Sequence, residues 1–286
     1  MSPEIREKHG ILVSILREMG SVVIGYSGGV DSTLLVKVAH DVLSGNALAV
    51  IGKSATYPSR EYEEAVRTAL AIGVRHIEVN TEETDVLKFR ENPVDRCYYC
   101  KTELFSKLHD IARERGMAWI ADGAITDDLG DFRPGRRAGG EQRVRSPLLE
   151  AGFSKADVRE LSRLLELPTW EKGSFACLSS RFPYGMPISL ESLAKIDAAE
   201  NLLRDMGFRE FRVRYHDERT ARIEVGAREI WNAVRDENRA RIVSRLKELG
   251  FNYVTLDLQG YRTGSMNETI GLPETLVLPG DPSRDS

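Results

Sequence analysis

The chain predicts an α/β fold: a parallel sheet flanked by helices, with a smaller C-terminal α+β domain. Two observations carry this. Short apolar runs alternate with amphipathic segments through the first half, and such alternation builds a parallel sheet covered by helices on both faces. The texture then changes around Phe182-Pro183-Tyr184-Gly185-Met186-Pro187. The expected division is a nucleotide-binding domain over 1–185, an α+β domain over 186–271, and a disordered tail over 272–286.

Residues 11–19 read as a helix and Val22 to Tyr26 as a strand. After Asp31, Leu35, Val38 and Val42 share one helical face. Ala47 to Ile51 is a second strand, Arg60 to Ile72 a helix, and His76 to Asn80 a third strand. Thr102 to Arg115 is amphipathic, and Trp119 to Asp122 closes the set of strands. Residues 130–147, rich in Arg and Gly, read as a loop. Val158, Leu161 and Leu165 mark another helix. The second part reads as a helix over Leu190 to Met206, then a hairpin of Phe211 to Tyr215 and Ala221 to Val225. A helix to Leu249 and a strand over Tyr253 to Leu258 complete it.

The most informative stretch is Ser27-Gly28-Gly29-Val30-Asp31-Ser32, between the first strand and its helix. A glycine-rich turn lets bare backbone approach a phosphate, and a helix N-terminus aims N–H groups at the anion. Ser27 and Ser32 add hydroxyls, and Asp31 suits a Mg²⁺ ion bridging phosphate oxygens. The bland alternative is a tight turn with a serine cap. In parallel sheets ligands sit at the carboxyl ends of strands, so the loops after Tyr26, Ile51 and Asp122 should share one site. Gly123-Ala-Ile-Thr126-Asp127-Asp128 follows the last of these strands. Asp127 and Asp128 could complete a Mg²⁺ site with Asp31, although Thr-Asp-Asp is also an ordinary turn. Lys53 to Thr56, with Ser54, lies where such folds take adenosine.

Composition narrows the classes. Of 286 residues 41% are hydrophobic, enough for a sizeable core, and the net charge is −4. That balance argues against a nucleic-acid partner. No apolar run approaches the roughly 18 residues of a membrane span, and the first residues lack a signal peptide's apolar core. The expectation is a cytoplasmic protein with no membrane partner. An odd count of three cysteines argues against a disulfide framework.

Cys97 and Cys100 form Cys-Tyr-Tyr-Cys before a helix, and Cys177 lies in Phe-Ala-Cys-Leu-Ser-Ser-Arg. A pair at this spacing chelates a metal or cluster, or acts as a redox dithiol. An iron–sulfur cluster is normally held by four thiolates. Three would leave one iron open to a substrate or an extra sulfide. Three unrelated core cysteines are the plain alternative.

Several motifs resemble known families. The Ser-Gly-Gly-Val-Asp-Ser loop is similar to the PP-loop of adenine nucleotide alpha-hydrolases, which grips the ATP pyrophosphate. Further motifs are Asn92-Pro93 with Cys97-Tyr-Tyr-Cys-Lys101, Arg133-Pro134-Gly135, and Ser179-Ser180-Arg181-Phe-Pro-Tyr-Gly185. Arg212-Val-Arg214 with Ala221-Arg-Ile-Glu224, and Thr255-Leu-Asp-Leu258 with Gly260-Tyr-Arg262, follow in order. Together they resemble the LarE-type sulfur transferases of nickel-pincer cofactor synthesis, which serve lactate racemase.

That resemblance implies a two-stage reaction. ATP adenylates a carboxylate of pyridinium-3,5-biscarboxylic acid mononucleotide, releasing pyrophosphate. A sulfur nucleophile then displaces AMP and leaves a thiocarboxylate. In one branch a protein cysteine is sacrificed; in another, three cysteines hold a 4Fe-4S cluster carrying an extra sulfide. The sacrificial branch lacks a pair at Cys97 and Cys100, and its donor sits one residue further from Ser-Ser-Arg than Cys177. The cluster branch is therefore the expectation, with an unspecified sulfide source. The resemblance places Arg181 near the ATP phosphates or the adenylate. It assigns Ser180, Glu200, Arg212, Arg214, Glu224 and Arg262 to the substrate, and suggests a homo-oligomer, a hexamer. From spacing alone, Arg212 and Arg214 on one strand face read as a solvated hairpin paired with Glu224. Competing readings are a tRNA thiolase, an ATP-dependent amide ligase, and a nucleotide sensor without turnover.

Overall fold

The computed structural model describes residues 1–130, 134–173, 175–262 and 264–266. The chain divides into two compact units. The first joins Met1–Phe89 to Asp95–Ala176, and the second joins Arg90–Val94 to the chain from Cys177 onward. The division thus falls at Cys177, ahead of the texture change at 182–187. The tail over 272–286 lies outside the described residues, as does Arg133.

The first unit opens with α1 (Pro3–Met19), capped by the Ser2 hydroxyl and ended at Gly20 with φ +69°. Strand β1 (Val22–Gly25) leads to α2 (Val30–Leu43), then β2 (Ala47–Lys53), α3 (Ser59–Ala71) and β3 (His76–Asn80). A short α4 (Leu87–Arg90) precedes α5 (Arg96–Arg115), β4 (Trp119–Ala121), α6 (Pro134–Glu141), α7 (Pro147–Glu150) and α8 (Lys155–Leu164). The four strands are parallel, in the order β3-β2-β1-β4. Val22, Val23 and Ile24 are fully buried because β1 is central and covered on both faces. Val22 and Ile24 join one cluster with Leu34 and Leu35 of α2. Val23 joins the other with Phe105 and Leu108 of α5. Each such side chain contributes about 1.5–3 kcal/mol.

Two expectations are corrected here. Residues 134–141 are helical, not loop. Gly-rich composition hid α6, which covers apolar surface: Ala138 joins the cluster of Phe105 and Leu108. Helix α5 also begins at Arg96, so Cys97 and Cys100 lie inside its first two turns instead of preceding it.

The second unit contains α9 (Leu190–Asp205), β5 (Phe211–Asp217), β6 (Thr220–Val225), α10 (Ile230–Val234), α11 (Asp236–Glu248) and β7 (Tyr253–Leu256). Its sheet runs β5-β6-β7, with the first pair antiparallel and the second parallel. The segment Arg90–Val94 is stitched in by Asn92, which is fully buried at φ +52°, a conformation Asn tolerates better than most residues. Its Nδ2 donates to Pro183 O at 2.8 Å, and Gly185 N donates to its carbonyl at 2.9 Å.

Candidate active site

In the first unit the Ser27–Ser32 turn links β1 to α2. Strand order reverses between β1 and β4, and such a switch point opens a crevice for ligands. Gly28 sits at φ +64°, and a Cβ there would lie 2.5 Å from Ala65 Cβ of α3. Only glycine fits both the backbone and the space. The Ser27 and Ser32 hydroxyls meet at 3.1 Å, and Ser27 N donates to Ser32 Oγ at 3.3 Å. The Tyr57 hydroxyl donates to Ser27 O at 2.5 Å. Burial, then the nearby Glu61 charge, push the Tyr57 pKa far above the ordinary tyrosine value, so this donor stays protonated. Phe175 stacks on the Tyr57 ring, with centroids 5.5 Å apart.

The neighbouring loops converge as expected. A Cβ at Gly123, after β4, would lie 3.0 Å from Ser32 N. Past β2, Ser54 and Thr56 both donate to Glu83 Oε1, the latter at 2.7 Å. Glu83 is buried, and its Oε2 has no partner among the described residues.

The aspartates behave differently from expectation. Asp128 is buried and its Oδ2 accepts from Ile125 N at 3.0 Å, shaping its own turn. Asp127 Oδ2 accepts from Lys155 N at 3.0 Å. Facing Asp31 is a cation: Lys155 Nζ contacts Oδ1 at 2.7 Å and Oδ2 at 2.6 Å. Among the described residues no three His, Cys, Asp or Glu side chains gather as a metal-binding group. Sequence reasoning missed Lys155, Tyr57 and Glu83. Lys155 follows the Ser154 cap of α8, and a lysine at a helix start was the one signal that could have exposed it.

In the second unit Arg181 and Glu200 are both buried and joined by two 2.9 Å bonds. Arg181 Nη1 also donates to Cys177 O at 3.0 Å and to Ser180 Oγ at 2.8 Å. Burial works against the Glu200 charge, but Arg181 holds its pKa below the usual carboxylate range. Arg214 Nη2 donates to Glu224 Oε2 at 2.6 Å and to Ser265 Oγ at 3.0 Å. Arg222 donates to the other Glu224 oxygen at 3.0 Å. Arg212 lies over the Tyr261 ring and donates to Phe211 O, with no carboxylate in ion-pair range among the described residues. Burial, then the Arg181 charge, push its pKa below the ordinary arginine value. Four guanidiniums (Arg181, Arg212, Arg214, Arg222) thus face Glu200, Glu224 and Asp257, the last 3.8 Å from Arg222. One positive charge is left over, and it suits an anion. Arg262 is half-buried.

None of the cysteines is in a disulfide. Cys97 is exposed, while Cys100 and Cys177 are half-buried. Cys97 and Cys100 stand one turn apart on the same face of α5. Cys177 opens the second unit.

The parallel sheet, the Ser-Gly-Gly-Val-Asp-Ser turn at its switch point and the converging loops define a PP-loop enzyme of the ATP-binding class. A family model for NAD synthase matches residues 6–121. An uncharacterised protein of Synechocystis is 44% identical, covering 88% of this chain and 94% of its own. The pyridinium-3,5-bisthiocarboxylic acid mononucleotide synthase of Lactiplantibacillus plantarum is 39% identical, covering 92% of this chain and 95% of its own. An uncharacterised protein of Methanocaldococcus jannaschii is 29% identical over 85% of this chain and 91% of its own. The chain belongs to the LarE family, that of the Lactiplantibacillus synthase. Among the described residues no helix is long and apolar enough to cross a membrane.

Proposed function

We propose that this protein is an ATP-dependent sulfur transferase that converts the carboxylates of pyridinium-3,5-biscarboxylic acid mononucleotide to thiocarboxylates for the nickel-pincer cofactor. The observation that carries this is the Ser27–Ser32 turn with Asp31, in a chain 39% identical to the bisthiocarboxylic acid mononucleotide synthase. A carboxylate is a poor acceptor for sulfur because oxide must leave. Its oxygen attacks the α-phosphorus of ATP, pyrophosphate departs, and the acyl adenylate now carries AMP as a good leaving group. The Ser27, Gly28 and Gly29 backbone, the Ser32 hydroxyl and the α2 N-terminus receive the phosphates, with Ser54 toward the adenosine. Mg²⁺, when bound, offsets charge developing on the phosphates; Asp31 would hold it, with Asp127 and Asp128 shaping the adjacent loop. Arg181, kept charged and oriented by Glu200, stabilises the adenylate. Arg212 takes the mononucleotide phosphate, while Ser180, Arg214, Glu224 and Arg262 position it.

Sulfur comes next. Cys97 and Cys100 offer an exposed and a half-buried thiol on one helix face of the first unit, and Cys177, also half-buried, opens the second. By the family resemblance, the three thiolates would hold a 4Fe-4S cluster with one open iron, whose chemistry is to carry a nucleophilic sulfide. Donation from Cys177 itself is the alternative. The chain is read as a homo-oligomer, a hexamer by family resemblance, which light scattering tests.

The deciding experiment is anaerobic. Protein purified without oxygen should hold about four irons per chain. With Mg·ATP and the biscarboxylic mononucleotide it should release pyrophosphate and AMP, and yield a product heavier by the oxygen-to-sulfur exchange. Iron-independent turnover with one sulfur lost from Cys177 overturns the cluster. A salt-sensitive, tight complex with bulk tRNA overturns the small-molecule acceptor in favour of a tRNA thiolase.

A further inference from the structure

Asp31 is placed where a divalent cation should sit, yet both of its oxygens are already engaged by the Lys155 ammonium at 2.7 and 2.6 Å. The pair joins positions 124 apart in sequence, so it is a tertiary contact and not a helix-surface pairing like Lys37 with Asp41. Both side chains are partly exposed, at 39% and 25%. An ion pair in that setting adds little to folding, so its position calls for a different explanation.

Lys155 is built to move at one end only. Its backbone N–H is fixed by Asp127, and the adjoining Ser154–Asp157 capping box fixes the start of α8. Among the described residues, the polar contacts of its side chain are those of the ammonium with Asp31. That ammonium lies beside two helix N-termini, of α2 at Val30 and of α8 at Lys155 itself. Both favour anions by their partial positive charge. Once a divalent cation takes the Asp31 oxygens, Lys155 loses its counter-charge in a region that attracts phosphate.

We propose that Lys155 is a cation switch. It neutralises Asp31 in the nucleotide-free protein, yields Asp31 to Mg²⁺ when ATP enters, and then pairs with an ATP phosphate oxygen. The inference rests on the reading that this loop binds Mg·ATP. No bond is made or broken and no proton moves; one ionic partner is exchanged for another. The switch keeps an unpaired carboxylate from repelling the approaching triphosphate, and it places a lysine on the phosphates only when the metal is present.

Two titrations on the full chain test it. The first follows Mn²⁺ alone by electron paramagnetic resonance. The second follows ATP in EDTA by calorimetry. Lys155→Met should bind Mn²⁺ about tenfold more tightly, because Asp31 has lost its competitor. It should bind metal-free ATP about tenfold more weakly, because the Asp31 carboxylate, left without its counter-charge, repels the triphosphate. Lys155→Arg, which keeps the charge, should return both affinities toward the wild-type values. A merely structural lysine would shift both in the same direction or neither. If wild-type protein binds Mg·ATP but Lys155→Met leaves either affinity within about twofold, or moves both the same way, the switch alone is overturned. Wild-type protein that binds no ATP under either condition defeats the nucleotide reading, and the switch with it.

Discussion

Arg181 Nε and Nη2 each donate to one oxygen of Glu200 at 2.9 Å, and the two side chains are only 2% and 9% exposed. Two charges this deep stay ionised only by pairing. Glu200→Gln leaves a buried guanidinium without its counter-charge and should cost about 3–5 kcal/mol. The Glu200 pKa is lowered on folding, so its contribution is complete above the unfolded carboxylate value, about 4.3. It is lost as pH falls through the lower folded value. Thermal melts from pH 7 to 3 should show the gap between wild type and Glu200→Gln narrowing only at the acid end.

Arg212 and Arg214 share a strand face but should answer differently to substitution. Arg214→Ala removes the only partner of Glu224 Oε2 among the described residues, leaving this fully buried carboxylate to Arg222 and Ser265 on its other oxygen, and should lower the melting temperature strongly. Arg212 is held charged against burial first and neighbouring positive charge second, so Arg212→Ala should leave the melting temperature unchanged or raise it. The same change should weaken binding of the mononucleotide, and of inorganic phosphate as a probe, by about tenfold or more. Melting curves beside calorimetry separate the two residues.

Gly28 faces two penalties at once, φ +64° and the Ala65 side chain. Gly28→Ala should therefore abolish measurable ATP binding. Adding Ala65→Gly removes the closer contact but leaves the position-65 Cα at 2.9 Å and the left-handed backbone, which alone costs a side chain about 1–2 kcal/mol. The double variant should recover part of the ATP affinity in a calorimetric titration, never all of it.

Tyr57→Phe removes the short hydrogen bond to Ser27 O and the longer 3.4 Å contact with Glu61 O, and keeps the ring stacked on Phe175. A net loss near 0.5–1.5 kcal/mol predicts ATP binding weakened about two- to tenfold. Unchanged affinity would show that the hydroxyl does not brace the turn.

Local pattern made the first unit readable. Strand His76–Asn80 matches the expected span, because its sequence, turns and neighbours agree. The loop Ser27–Ser32 was legible because its glycines, hydroxyls and acid are contiguous. Helix α6 was not, since Pro-Gly-Arg-Arg-Ala-Gly-Gly-Glu has poor intrinsic helix propensity and depends on packing to form. Lys155 was invisible for a deeper reason: its partner lies 124 residues away, and no local pattern marks such a pairing. Glu200 resembles any surface glutamate on an amphipathic helix until Arg181 is seen beneath it. Spacing alone favoured a solvated Arg212–Arg214 hairpin; the buried Arg214 shows that one of the two is interior.

The detour of Arg90–Val94 into the second unit has a consequence for biosynthesis. Asn92 leaves the ribosome long before Pro183 and Gly185, the residues that receive it. At roughly 5–20 residues per second the wait is on the order of 5–20 s, and through it this buried-to-be asparagine lacks those partners. Neither unit can therefore be excised as one continuous stretch. A clone ending before Gly185 would leave the nucleotide-binding half carrying an unfinished stitch, a natural handle for chaperones or proteases that inspect incomplete chains.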